Sequence, residues 1–141
     1  MEKLTLSNSY KAIESWAYSK GYDVLLETDG ADGVYFTCNQ IVLNSRNHIE
    51  KRLYILLHEC GHILINNNSF DRVFSLSLDT EAIMGGKKVS RKRRVAKLAE
   101  EIEAWKRGEN LARRLGVKIN EEKFDKIRSD AIMSYVEWAK D

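Results

Sequence analysis

Proline is absent from this 141-residue chain, and cysteine and histidine are scarce, with two and three residues respectively. Without proline, nothing interrupts helical periodicity, so glycines mark the ends of the predicted elements. Two cysteines cannot build a disulfide framework, which agrees with a reducing compartment. No apolar run approaches a membrane span, and the first residues lack the features of a secretory signal. We therefore expect a cytoplasmic protein with no membrane segment, folded as a single domain over residues 1–141.

Positive charge is concentrated in one short stretch. The formal net charge is +2, but residues 87–97, "KKVSRKRRVAK", contain seven cations and no acid, so the rest of the chain carries −5. Such a run usually indicates a solvated loop. The alternatives are weak contact with nucleic acid or with an acidic protein partner, and folding of the loop over a neighbouring cleft. No aromatic residue is interleaved to stack on bases.

The first third of the chain predicts a helix followed by a small sheet. The helix spans about residues 9–20 and ends at Gly21. Strand-like segments follow at residues 22–28, 34–38 and 41–44. The turn-like "DGADG" and the dipeptide "NQ" between them suggest hairpin connections, so we expect a mostly antiparallel meander of about three strands.

Three further helices are predicted. Asn47 resembles an N-cap with Glu50 at the third helical position, and an apolar helical pattern follows. Residues 66–94 are predicted to form a loop with one short strand or turn, and a second helix spans about residues 95–115. A last helix opens at Asn120. The fold class indicated is α+β, with the sheet packed on the central helix and the other helices in support.

The central helix contains the segment "YILLHECGHILINN", residues 54–67, with the spacing H-E-x-x-H. His58 and His62 would lie about 40° apart on one helix face and about 6 Å apart along the axis, so both imidazoles can reach one metal ion. The main apolar stripe lies on the opposite side of the helix. The alternative is two histidines whose hydrogen bonds are satisfied in the core.

Glu59 is the predicted general base of a metal site. A catalytic zinc ion takes three protein ligands and lowers the pKa of a bound water to about 7. Glu59 follows His58 and points about 100° round the helix, so it can reach that water without binding the ion. Tyr54 is a candidate stabiliser of the transition state, with a packed core tyrosine as the alternative. Zn²⁺ is the expected cofactor, although these ligand types also suit manganese and iron.

The third metal ligand is predicted to be a carboxylate. The remaining histidine, His48, lies ten residues before His58, about 15 Å away along the same helix. The longer pattern H-E-x-x-H-x-x-G-x-x-H fails, because neither its Gly nor its last His is present. We favour Glu103, on a face with small alanine side chains, and place Glu100 next. The other carboxylates considered are Asp71, Asp79, Glu81 and Glu101.

The segments "QIVLNSRNHIEKRLYILLHECGHILI" and "EEIEAWKRGENLARRLG" resemble the ImmA/IrrE-type metallopeptidases, particularly their small phage-encoded members. The resemblance covers about residues 33–116. In that family a strand ending in Asn leads into an H-E-x-x-H helix, and the third ligand is a Glu in an acidic, alanine-containing helix, to which "EAW" at 103–105 corresponds. The resemblance therefore implies that Glu103 is the third ligand and that the fold is a minimal zincin-like metallopeptidase fold. Several family members cleave helix-turn-helix repressors of mobile elements.

The sequence therefore predicts a zinc-dependent metallopeptidase with a His₂Glu site, acting on an intracellular protein such as a regulator or repressor. An extended peptide substrate would bind an edge strand beside the site, with residues 33–38 and 40–44 as candidates. The alternative is a nucleic-acid- or repressor-associated binding protein that uses residues 87–97, with the metal site structural. A third hypothesis is an inactive scaffold, against which the intact Glu59 argues, since a structural site has no use for a base.

Overall fold

A computed structural model describes residues 5–67 and 89–140. Within these ranges the chain forms four helices and a three-stranded mixed sheet, which confirms the α+β class: α1 (Leu6–Ser19), β1 (Asp23–Glu27), β2 (Gly33–Tyr35), β3 (Gln40–Asn44), α2 (Ile49–Asn67), α3 (Arg91–Arg114) and α4 (Glu121–Lys140). Buried apolar side chains from all four helices and the sheet form one cluster. No described helix combines the length and apolar character needed to cross a membrane. The strand or turn predicted between α2 and α3 lies outside the described residues.

The sheet is mixed and has the strand order β1-β3-β2. β3 pairs in parallel with β1, from Asp23 opposite Gln40 to Glu27 opposite Asn44, and antiparallel with β2. The predicted hairpin between β2 and β3 is confirmed. The predicted hairpin between β1 and β2, and with it the meander, is wrong, because β3 lies between these two strands. So is the mostly antiparallel character, because the longer of the two ladders is parallel.

Burial explains why β3 takes the centre. Ile41, Val42 and Leu43 are all buried, as is typical of a strand covered on both faces. β1 instead exposes Leu25 and Leu26, which suits a strand at the edge of the sheet. The uninterrupted apolar run in β3 is a signal for the central strand that the hairpin interpretation overlooked.

α2 is the central element of the fold. Every residue from Leu53 to Ile63 is buried, and the helix contacts the other three described helices as well as β2 and β3. This agrees with the prediction of a helix enclosed between the sheet and another element. The predicted cap is displaced by one residue: His48 precedes the helix, and its Nδ1 accepts the backbone N–H of Glu50 at 3.3 Å, a role predicted for Asn47.

α3 begins earlier than predicted. Ser90 caps the helix, and its Oγ accepts the backbone N–H of Arg93 at 3.2 Å. The loop predicted over residues 66–94 is therefore wrong for residues 91–94, which are helical. A serine cap and the good helix propensity of Arg and Lys outweigh the unfavourable placement of cations at the positive end of the helix dipole. At the other end, Gly116 has φ +71° and terminates the helix as predicted.

α2 and α3 approach each other so closely that only glycine fits at two points of contact. A Cβ atom on Gly61 would overlap the backbone carbonyl of Ala104. A Cβ atom on Gly108 would overlap the backbone carbonyl of Leu57. The two glycines therefore set the distance between the helices.

We expect Gly61→Ala and Gly108→Ala each to destabilise the protein by about 1–3 kcal/mol, because an added methyl overpacks the contact. Helix propensity alone predicts the opposite sign, a gain of about 0.5–1 kcal/mol over glycine. Urea unfolding followed by circular dichroism measures the difference. Gly33→Ala is the control, since its Cβ would meet only Tyr35 at ordinary contact distance. A stabilised Gly61 or Gly108 variant would contradict the close contact.

Candidate metal centre

His58 and His62 lie one turn apart on α2 and face the same side. Their ring centroids are 4.7 Å apart and their Nε2 atoms 3.3 Å apart. Both residues are buried, with 8% and 5% of their surfaces exposed. The four-residue spacing thus brings two imidazole nitrogens together, as predicted.

The third group at this centre is Glu101 of α3. Its Oε2 lies 2.9 Å from Nε2 of His58 and 3.1 Å from Nε2 of His62. Glu101 is itself buried, with 3% of its surface exposed. Among the described residues, these three side chains form the group that is close enough to hold a metal ion.

The structure does not bring Glu103, the favoured third ligand, to the histidines. Its Oε1 instead accepts a hydrogen bond from Nε of Arg107 at 2.9 Å. Glu101 and Glu103 are separated by 200° on the helix and point to nearly opposite sides. The prediction chose the wrong face of α3: the face towards α2 carries Ala104 and Gly108, and Glu101 shares that face.

Glu100, the reserve ligand, lies behind His62. Its Oε1 is 3.0 Å from Nδ1 of His62, and only 1% of the residue is exposed. A carboxylate in this position fixes the orientation and tautomer of a metal-binding imidazole and leaves the other nitrogen free for the ion. The geometry therefore gives Glu100 a supporting position. The remaining candidates, Asp71, Asp79 and Glu81, lie outside the described residues.

His58 is held in a different way. The ring of Trp105 stacks on its imidazole, with centroids 4.3 Å apart and an interplanar angle of 22°. Within the described part of the chain, the buried Nδ1 of His58 has no hydrogen-bond partner. Aromatic stacking thus fixes the plane of this ring, where a hydrogen bond orients the ring of His62.

The three donor atoms fit a tetrahedral metal ion. Ligand atoms bound to zinc at 2.0–2.1 Å stand about 3.3 Å from one another. The observed separations between His58, His62 and Glu101 are 2.9, 3.1 and 3.3 Å. Two imidazoles and one carboxylate also match the ligand types of catalytic zinc sites, which leave a fourth position open.

The metal-free cluster retains protons that an ion must displace. Burial by itself lowers the pKa of His62, but hydrogen bonds with Glu100 and Glu101 outweigh it and raise that pKa to about 10. Burial raises the pKa of Glu101, yet its hydrogen bonds with the two histidines outweigh burial and lower the pKa below its usual value. His62 is therefore protonated at neutral pH, and a metal ion bound at Nε2 would displace its proton.

Glu59 lies beside the donor group without belonging to it. Its Oε1 is 3.7 Å from Nε2 of His58, and 5% of the residue is exposed. Burial raises the pKa of Glu59, and the neighbouring histidines act in the opposite direction. The carboxylate thus lies next to the converging donors without being one of them.

A cleft of about 770 Å³ opens onto this centre. His58, Glu59 and Trp105 line it together with side chains from the start of α2 and from α4. Volumes of about 300–1,000 Å³ are typical of ligand pockets. The site is therefore accessible from one side although its donor atoms are buried.

The structure places Tyr54 in the core and a different tyrosine in the cleft. The Tyr54 hydroxyl donates to Oε2 of Glu50 at 3.0 Å and accepts the backbone N–H of Asn120 at 2.9 Å, and the residue is 1% exposed. Tyr135 of α4 lines the cleft, close enough to Glu101 for the charge of that carboxylate to act on its phenol. Burial, followed by the charge of Glu101, raises the pKa of Tyr135, so the phenol keeps its proton. No motif in the sequence pointed to Tyr135.

The described part of the basic stretch does not face solvent uniformly. Arg91 and Lys92 are exposed at the start of α3. Arg94 is 8% exposed, and its Nη1 donates to the backbone oxygen of Trp138 at 3.4 Å. Lys97 turns towards the carboxylates of the metal centre. Arg94 and Lys97 therefore make polar contacts within the fold.

No family model, curated protein or solved structure matches this chain. The resemblance to ImmA/IrrE-type metallopeptidases accordingly stays a prediction.

Glu101→Gln should weaken binding of Zn²⁺ by at least about tenfold, since even residues that only support a ligand contribute about 10–100-fold to metal affinity. Competition with a chromophoric chelator measures the change. Glu103→Gln is the matched control, because it alters a carboxylate two residues away that pairs with Arg107. Equal losses in the two variants would contradict the assignment of Glu101.

The stabilisation provided by zinc should increase with pH between about 6.5 and 10. Because the pKa of His62 is raised to about 10, its protonated form stabilises the fold without zinc. This stabilisation is complete below pH 6.5 and is lost as the pH rises towards 10. Zinc displaces the same proton, so its apparent affinity should rise about tenfold per pH unit in this window. Thermal unfolding with zinc and with a chelator checks this: the difference in Tm should widen from pH 6.5 to 9, whereas a constant difference would count against it.

Proposed function

We propose that this protein is a zinc-dependent metallopeptidase that hydrolyses a peptide bond of an intracellular protein. The supporting observation is the convergence of Nε2 of His58, Nε2 of His62 and Oε2 of Glu101 in a buried group. Structural zinc sites usually have four protein ligands, whereas catalytic sites have three and an open position. An α+β fold with a small sheet beside the H-E-x-x-H helix is also compatible with a zincin-like arrangement.

Glu59 acts as the general base and acid in the proposed reaction. When bound, zinc would supply the Lewis acidity that lowers the pKa of a water molecule and polarises the peptide carbonyl. Glu59 accepts a proton from the water as its oxygen adds to the carbonyl carbon, and delivers that proton to the nitrogen as the C–N bond breaks. Glu100 and Trp105 keep the two imidazoles directed at the centre.

Tyr135 takes the transition-state role that was considered for Tyr54. Its phenol lines the cleft beside Glu101 and keeps its proton. A protonated phenol there can donate a hydrogen bond to the oxyanion that develops on the carbonyl oxygen. Tyr54 has both of its hydrogen bonds inside the core and serves to pack and join α2 to the start of α4.

The edge strand β2 is the proposed binding site for an extended substrate. Residues 40–44 form the central strand, paired on both sides, so they offer no free edge for a peptide. Among the strands that the structure describes, β2 pairs with β3 alone, and Asp32, the residue before β2, lines the cleft. Of the two segments predicted from the sequence, 33–38 therefore supplies the edge, over residues 33–35. A peptide added here would use main-chain hydrogen bonds for affinity.

The alternative of a nucleic-acid-associated binding protein stays an untested prediction. Within the described residues, Arg94 and Lys97 make contacts inside the fold, which reduces the positive charge that residues 87–97 can offer to phosphates. Arg91 and Lys92 remain exposed. We therefore retain the peptidase as the proposed function.

Glu59→Gln should reduce peptide cleavage by about 10²–10⁴-fold, because the amide cannot accept the proton. The zinc content should not change, because Glu59 is not among the three converging donors. The measurement is the intact mass of intracellular regulators co-expressed with wild-type protein or the variant, together with the zinc content of both.

Asp130→Asn is the control for the loss of a carboxylate from the same cleft. Asp130 is exposed on α4 and lines the cleft. This variant should cleave like the wild type. Cleavage by Glu59→Gln at the wild-type rate would overturn the role of Glu59, and loss of zinc from that variant would show that it is a ligand.

A further inference from the structure

Lys97 is a cation of the basic stretch whose side chain reaches the metal centre. Its Nζ is 3.3 Å from Oε1 of Glu101 and 3.7 Å from Oε2 of Glu100. The Lys97 side chain is 23% exposed, whereas those of the two carboxylates are 4% and 1% exposed. An ion pair with buried carboxylates is screened less than one between surface groups. The proposed reaction assigns no role to this lysine.

The two carboxylate oxygens of Glu101 have different partners. Oε2 lies between the two histidine nitrogens, and Oε1 faces the ammonium of Lys97. Lys97 and Glu101 are four residues apart on α3, a spacing that places side chains next to each other on a helix. The helix itself therefore keeps the ammonium beside Oε1.

We propose that Lys97 is a positioning residue that holds Oε1 of Glu101, so that only Oε2 is presented to the metal ion. This inference rests on the proposed metal site. A carboxylate can bind an ion through one oxygen or through two, and the second oxygen takes a position that water would otherwise use. With Oε1 held by Lys97, the chain provides three donor atoms and leaves the fourth position for the reacting water.

The electronic spectrum of bound Co²⁺ tests the proposal without measuring activity. Visible absorption by Co²⁺ is strong in four-coordinate sites and weakens as the coordination number rises. We expect Lys97→Met to give a weaker band than wild type, because the freed Oε1 can also approach the ion. Lys97→Arg, which keeps a cationic donor, should retain the wild-type intensity.

Lys92→Met is the matched control, since it removes an exposed cation of the same stretch and helix. It should leave the spectrum unchanged. Lys97→Leu is a second variant without a hydrogen-bond donor, and it takes the place of Lys97→Met should that variant not fold. A neutral Lys97 variant with the wild-type spectrum would overturn the proposal, as would a folded Lys97→Arg variant with a weakened band.

The outcomes also separate this inference from the proposed function. A wild-type protein that binds Co²⁺ but cleaves no peptide would contradict the proposed reaction alone, because the spectra of the Lys97 variants would still decide the role of the lysine. A wild-type protein that binds no Co²⁺ would contradict both the metal site and the position assigned to Lys97.

Discussion

The contact between α2 and α3 at Gly61 and Gly108 is the constraint on which the metal centre depends. Gly61 stands in the H-E-x-x-H segment next to His62, and its missing side chain allows the backbone of Ala104 to reach the helix. Glu101 lies one turn before Ala104, so its short side chain spans the remaining distance to both histidines. Oε2 of Glu101 lies only 2.9 and 3.1 Å from the two histidine nitrogens, so even a small separation of the helices would remove the carboxylate from the group.

The contact between α2 and α3 also buries two carboxylates together with their cationic partners. Glu100 and Glu101 are buried, and their partners are His62 and Lys97 from the two helices. A buried ion pair is costly to break, because the remaining partner keeps its charge without compensation, at a cost of about 3–5 kcal/mol. The carboxylates therefore have a structural reason to stay in place before any metal binds. A metal ion that binds here would replace the proton of His62 within a group that is already assembled.

Short sequence motifs correctly predicted features that depend on neighbouring residues, such as helix faces and helix ends. The H-E-x-x-H spacing predicted a helix with both imidazoles on one face, Gly116 predicted the end of α3, and Asn120 predicted the start of α4, where its Oδ1 accepts the backbone N–H of Lys123 at 3.1 Å. The strand order could not be predicted in this way. Turn-like residues between β1 and β2 suggest a hairpin, but the pairing was decided by the need to bury β3 on both faces.

Glu101 and Glu103 are carboxylates of the same helix, but only Glu101 faces the histidines. Alanines alone did not identify the face towards α2, since α3 has small residues on more than one side. The face that touches another backbone must carry the smallest side chains of all, and on α3 this is the face with Gly108. A ligand can come only from that face, because a glutamate on the other side would have to pass around its own helix. Lys97 lies on this face too, so one end of the basic stretch belongs to the metal centre and not to a solvated loop.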